Sequence, residues 1–223
     1  MEKVRLKVKG ILLDLDGTIV DSTKAYSEAA KAAFAAMGRK TVDAKTVMEV
    51  PRRLEQDLSI SSIITGGDVR KFLDVYLNAY YQVISLKAKP MPGVSETLRK
   101  LSQKTKLALI TMRYIPKEEV IKELQKFDLA EYFQVVMTAL DTPRPKPSPE
   151  ALIECAKRLG VQVRECAVVG DSVADARAGK TAGMITIAVL SGIFTKEELE
   201  KEKPDLILKS ISEIPDFLEY SGN

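Results

Sequence analysis

Short apolar runs recur along the 223-residue chain, and between most of them the apolar positions repeat at helical spacing. The runs Val8–Asp14, Lys106–Thr111, Gln134–Thr138, Cys166–Gly170 and Met184–Val189 are largely unbroken by polar residues, as strands buried on both sheet faces require. The segments Pro116–Phe127, Pro149–Leu159 and Ser172–Ala182 repeat at three and four and begin at Pro or Ser, a helix-start signal. Strands alternating with helices predict a doubly wound α/β domain around a parallel sheet with right-handed crossovers.

One interval breaks the alternation. From Ser22 to Lys87 no strand pattern appears. Ala25, Ala29, Ala32, Ala33 and Ala36 form one helical stripe, and Val69, Phe72, Leu73, Tyr76, Leu77, Tyr80, Val83 and Ile84 form another. Pro51 and Gly66-Gly67 divide the interval into about three helices. The stiff segment Lys89-Pro90-Met91-Pro92-Gly93 leads back into the alternating part. The expected organisation is a core of residues 1–20 and 88–223 with an all-helical insert at 21–87.

Composition narrows the class. Apolar content of 45% with 29% charged residues fits an ordinary soluble globular chain. The net charge of +3 is spread along the sequence, so no basic, aromatic-interleaved cluster marks a nucleic-acid surface. No apolar run reaches the ~18 residues of a membrane span, and the N-terminus lacks signal-peptide character, so the cytoplasm is the expected location. The chain has no histidine, so a Cys/His zinc site is excluded. Acid–base work near neutral pH then falls to carboxylates, Lys, Tyr, Cys or metal-bound water. Cys155 and Cys166, one on a helix and one at a strand start, read as core thiols.

Candidate chemistry gathers where the strands end. Asp14 and Asp16 close the first strand before Gly17, at the sheet edge where open α/β folds bind ligands. Alone, the pair is also what a solvated Asp-Gly turn looks like. A calcium loop is excluded, because the position that would need Glu is Ala25. Thr111 closes the second core strand, where its hydroxyl and the amides beyond it can donate to an anion. Lys146 is mounted in Pro143-Arg144-Pro145-Lys146-Pro147, which leaves its backbone little freedom. Asp171 leaves a strand end and Asp175 follows four residues later; the same pattern describes a helix cap with an acidic first turn. Ala178-Gly179-Lys180-Thr181 is no P-loop, because Ala174 stands where that motif needs glycine. Carboxylates alone repel a phosphate, but with a divalent ion between them and a lysine and hydroxyl nearby they form a phosphoryl-transfer site.

In this order and placement the motifs closely resemble the haloacid dehalogenase-like superfamily, in its branch of phosphatases with a helical cap. Asp14-Leu15-Asp16-Gly17-Thr18 matches the first family motif, Thr111 the second, Lys146 the third and Gly170-Asp171…Asp175 the fourth. The resemblance implies a Rossmann-like core with an inserted all-α cap, and Mg²⁺-dependent hydrolysis of small phosphomonoesters such as phosphoglycolate or a sugar phosphate. It implies Asp14 as the nucleophile that forms an aspartyl-phosphate and Asp16 as the acid–base residue. Mg²⁺ would rest on the Asp14 side chain, the Asp16 backbone carbonyl and Asp171, with Asp175 beside them. Thr111, the Met112 amide and Lys146 would bind the phosphoryl group.

One departure stands out: Met112 and Arg113 follow Thr111 where relatives often carry a small polar residue. Arg113 either approaches the phosphoryl group or a substrate carboxylate, or faces solvent. In the insert, Arg52 and Arg53 are candidates for an acidic leaving group. A phosphomutase of the β-phosphoglucomutase kind and a non-catalytic, Mg²⁺-binding receiver-like module are the alternatives. The expected partner is a small phosphorylated metabolite, with the chain a monomer or homodimer.

Overall fold

The computed structural model describes residues 5–56, 58–64 and 67–219. The chain divides into two compact units, Met1–Val20 with Pro90–Asn223, and Asp21–Lys89.

The first unit is built on a six-stranded sheet of β1 (Gly10–Leu13), β4 (Lys106–Ile110), β5 (Val135–Met137), β6 (Cys166–Gly170), β7 (Ile185–Val189) and β8 (Leu206–Leu208). Its order is β5-β4-β1-β6-β7-β8, and every pairing is parallel. Chain order runs outward from β1 in both directions, so the β4/β1/β6 edge is the point where a doubly wound sheet opens a crevice.

Alternation along the strands decides what each face meets. Ile11, Leu13, Leu107, Leu109, Ala167 and Val169 point to one face and pack on Val94, Leu98 and Leu101 of α5 (Val94–Ser102) and Val120 and Leu124 of α6 (Lys117–Lys126). Leu12, Ala108, Ile110 and Val168 point to the other face, against α7 (Glu150–Leu159) and Ala178 of α8 (Val173–Ala182). With both faces covered, the strands are buried almost throughout, which is why they read as continuous apolar runs.

The structure adds a strand. β8 escapes the periodicity because it is three residues long and follows Lys203-Pro204-Asp205. It is secured by Asp205, whose Oδ2 accepts from the Thr186 amide at 2.7 Å and from the Thr186 hydroxyl at 2.8 Å. A short helix, α9 (Lys196–Lys201), lies between β7 and β8.

The second unit holds α1 (Thr23–Ala36), α2 (Ala44–Glu55), α3 (Ser61–Ile64) and α4 (Val69–Lys87). Asp43 and Asp68 start α2 and α4 by accepting the amides of Thr46 and Lys71. The buried stripe of α4 is Phe72, Tyr76, Tyr80 and Ile84, while Leu77 is exposed. Phe34 of α1 meets Phe72 edge-on at 5.0 Å, and Tyr26 stacks on Tyr80 at 5.3 Å. Ala32 and Ala36, expected on the α1 stripe, are exposed; Tyr26, Ala30 and Phe34 are buried instead.

Pro51 does not end a helix. It lies inside α2, where its ring is buried beside Val47 and Val50 and offsets the amide donor it lacks. Of the expected Gly66-Gly67 break, Gly66 lies outside the described residues. The short strands β2 (Val20–Asp21) and β3 (Lys89–Pro90), at the unit boundaries, pair with each other.

Candidate active site

β1 ends at Leu13, and the Asp14 amide extends the ladder by one bond to the Val169 carbonyl at 2.9 Å. The chain then turns tightly: the amides of Ile19 and Val20 both reach back to the Leu15 carbonyl. Gly17 sits at φ +82°, and a Cβ there would lie 2.5 Å from Asp171 Oδ2. Glycine is therefore required twice, for backbone conformation and for close approach.

Lys146 reaches this edge from the proline-rich loop before α7. Its Nζ donates to Asp14 Oδ1 at 2.6 Å, to Asp175 Oδ1 at 2.6 Å and to the Ile110 carbonyl at 3.3 Å. All three ammonium donors are used, in a side chain that is almost fully buried. Among the described residues, the other Asp14 oxygen accepts no hydrogen bond.

The Gly170-Asp171…Asp175 segment caps a helix and brings two carboxylates to the same sheet edge. Ser172 caps α8, accepting the Asp175 amide at 3.2 Å, while Asp175 Oδ2 accepts from the Ser172 hydroxyl at 2.6 Å. The second Asp175 oxygen faces Lys146. Asp171 Oδ1 accepts from the Thr18 hydroxyl at 3.1 Å.

Asp14, Asp171 and Asp175 each bring a carboxylate oxygen within 4.8 Å of the others, all three residues being buried. Burial pushes the Asp14 carboxyl up to about 7; Lys146 pulls against that, while the charges of Asp175 and Asp16 push it further. Burial also works against the Lys146 ammonium, but Asp14 and Asp175 hold it protonated, above the ordinary lysine range. Three carboxylates face one ammonium, so the cluster is short of positive charge. Hard, anionic oxygens in such a cluster suit a small divalent cation of the Mg²⁺ type.

Asp16 lies outside this cluster. Its carboxylate is gripped by Arg113, with Nε on Oδ2 at 2.8 Å and Nη2 on Oδ1 at 2.7 Å. Arg113 therefore does not face solvent: it is buried, and two acidic partners share its guanidinium. Thr111 stands one residue past β4, buried, its Oγ1 accepting the Arg113 amide at 3.2 Å and leaving its hydroxyl proton to donate elsewhere. Met112, the next residue, is half-buried.

Arg52 and Arg53 lie on α2 of the helical unit. Arg53 is engaged by Glu49 at 2.9 Å and by the Ser59 carbonyl at 2.9 Å, and Arg52 Nε is 3.8 Å from Glu49.

Three contributors lie outside the candidates that the sequence offers. Glu123 is a charged residue on the buried face of α6, between Val120 and Leu124, and that misplacement was the available signal. Ser191 donates to the Gly17 carbonyl at 2.7 Å. Gly192 leaves so little room that a Cβ there would fall 1.6 Å from Asp171 Oδ2. Neither loop residue carries a recognisable pattern.

A parallel doubly wound sheet with an acid–lysine cluster at its switch point defines a hydrolase of a known kind. Residues 11–189 match the haloacid dehalogenase-like hydrolase family, and the chain belongs to it. It is 31% identical over 225 residues to a phosphoglycolate phosphatase of Vibrio parahaemolyticus, covering 96% of this chain and 98% of the relative. A phosphoglycolate phosphatase of Neisseria meningitidis is likewise 31% identical, with 97% and 96% covered. A haloacid dehalogenase-like family hydrolase from Streptococcus pneumoniae superposes with a TM-score of 0.78 over 95% of this chain and 98% of its own. At 20% identity that structure speaks for the fold alone.

Proposed function

We propose that the protein is a Mg²⁺-dependent phosphatase of small phosphomonoesters in which Asp14 is the nucleophile. The observation that carries the reading is the state of Asp14: one oxygen held by Lys146 at 2.6 Å, the other without a hydrogen bond among the described residues, at the open edge of the sheet. That second oxygen attacks phosphorus in line. The ester P–O bond breaks, and its electron pair goes to the leaving oxygen, which takes the proton of the Asp16 carboxyl. Water then adds to phosphorus and passes its proton to the Asp16 carboxylate, releasing phosphate and Asp14.

Lys146 neutralises phosphoryl oxygens and keeps Asp14 oriented, while the Thr111 hydroxyl and the Met112 amide donate to the same group. Asp14, Asp171 and the Asp16 carbonyl would hold the cation, with Asp175 beside it. When bound, the cation would screen the carboxylates from the incoming phosphoryl group. In this reading the helical unit is the cap, with Arg52 and Arg53 as candidates for an acidic leaving group. The identity to phosphoglycolate phosphatases makes phosphorylated small acids the first substrates to try.

The test is phosphate release from a panel of phosphorylated metabolites, phosphoglycolate among them, with Mg²⁺ and with excess chelator. Release is expected only with Mg²⁺, and Asp14→Asn is expected to lower it at least ~10³-fold, since nucleophile loss removes the covalent route. Full activity in Asp14→Asn ends the nucleophile assignment. Isomerised sugar phosphate without phosphate release assigns a mutase instead.

A further inference from the structure

The contacts of Asp16 point beyond this scheme. Arg113 presents one edge of its guanidinium to both Asp16 oxygens, and the other edge to Glu123, with Nη1 on Oε2 at 2.5 Å and Nη2 on Oε1 at 3.3 Å. The three residues belong to the β1 turn, the segment after β4 and α6, and are 9%, 3% and 8% exposed. With Asp16 ionised, one arginine balances one aspartate and Glu123 is not needed for charge; with Asp16 carrying its proton, Glu123 is the residue that neutralises Arg113. An apolar residue at 123 would complete the buried face of α6 between Val120 and Leu124. Glu123 also adds geometry: a planar fork held along two edges cannot rotate about its stem.

We propose that Arg113, braced by Glu123, is a positioning residue that sets the orientation from which Asp16 reaches the leaving-group oxygen. This rests on the phosphatase reading and on Asp16 as its acid. To serve the ester, Asp16 trades one of its two Arg113 contacts for the leaving oxygen. Throughout that exchange Glu123 keeps the guanidinium paired, so no buried charge is left without a partner. Asp14 attack, P–O cleavage and proton transfer from Asp16 to the leaving oxygen proceed as above; Arg113 exchanges no proton or bond.

The test separates proton delivery from everything else by the leaving group. An alkyl phosphate needs its leaving oxygen protonated, whereas p-nitrophenolate departs without help. Because kcat/KM reports only steps up to loss of the leaving group, it is blind to Asp16's later work on water. In Arg113→Met, kcat/KM for an alkyl phosphate is expected to fall about a hundredfold, and for p-nitrophenyl phosphate no more than about tenfold, within the range general acids supply. Arg113→Lys keeps the charge but not the fork and is expected to show the same split. Glu123→Gln, the mildest change, is expected to show a smaller split in the same direction.

Parallel losses on both esters overturn the proposal, because they describe damage to folding or phosphate binding. So does full rescue by Arg113→Lys, which would make charge and not orientation the requirement. If Arg113→Met does not fold, the lysine and glutamine variants carry the same decision. Wild-type protein inactive on both esters defeats the phosphatase reading itself, an outcome distinct from parallel losses in an active enzyme.

Discussion

Two aspartates two positions apart meet different fates. Asp14 is held by a lysine from a distant loop and faces a metal-type cluster; Asp16 is turned away onto an arginine. Spacing alone does not distinguish them; the family resemblance implies different roles, and in the structure their partners differ. The cysteines are simpler. Burial pushes the Cys155 thiol up to about 12 and Cys166 up to about 11. Both are therefore neutral and unreactive at pH 8, and a thiol reagent is expected to label neither until denaturant is added. The sign for stability follows: a folded-state value above the unfolded 9.0 favours folding below about pH 9, and that contribution is lost as pH rises through 11–12. Rapid labelling of native protein at pH 8 would contradict this burial.

At the level of elements, the site is made by segments that only end near it. The loop after β7 is an example, since Ser191 ties down the Gly17 carbonyl and Gly192 leaves Asp171 its space. Gly192→Ala is expected to displace Asp171 while the fold survives, lowering Mg²⁺ affinity about tenfold or more, the scale seen when support of a metal ligand is lost. Isothermal titration with Mg²⁺ checks this; unchanged affinity with unchanged circular dichroism would mean that the loop simply moves aside. The strands themselves were legible, because burial on both sheet faces leaves an unbroken apolar run. β8 was not, since its pairing with β7 depends on Asp205 meeting Thr186, a contact without local signature. Pro51 misled in the opposite direction: a residue that usually ends helices is kept inside one by the burial of its ring.

For the whole molecule, the two units have separate cores, and all three candidate metal carboxylates belong to the sheet unit. Mg²⁺ at a hundred times its dissociation constant is expected to stabilise that unit by about 2.7 kcal/mol, raising its melting temperature by roughly 5–10 °C. A transition belonging to the helical unit is expected to stay in place. Scanning calorimetry with and without Mg²⁺ reads both, and Asp171→Asn is expected to abolish the shift. A shift that survives Asp171→Asn would place the ion elsewhere.

The order of motifs, the parallel strands and the helical interval were all written locally, in runs and spacings that a strand or helix imposes on its own residues. That was enough to bring Asp14, Lys146, Asp171 and Asp175 to one sheet edge, because parallel strands end at a common edge. The pairing of Asp16 with Arg113 and Glu123, the steric need for Gly192 and the bond from Lys146 to Asp175 were decided by tertiary structure alone. Each depends on side chains from separate elements meeting within hydrogen-bond or van der Waals distance, and such distances leave no period in a sequence.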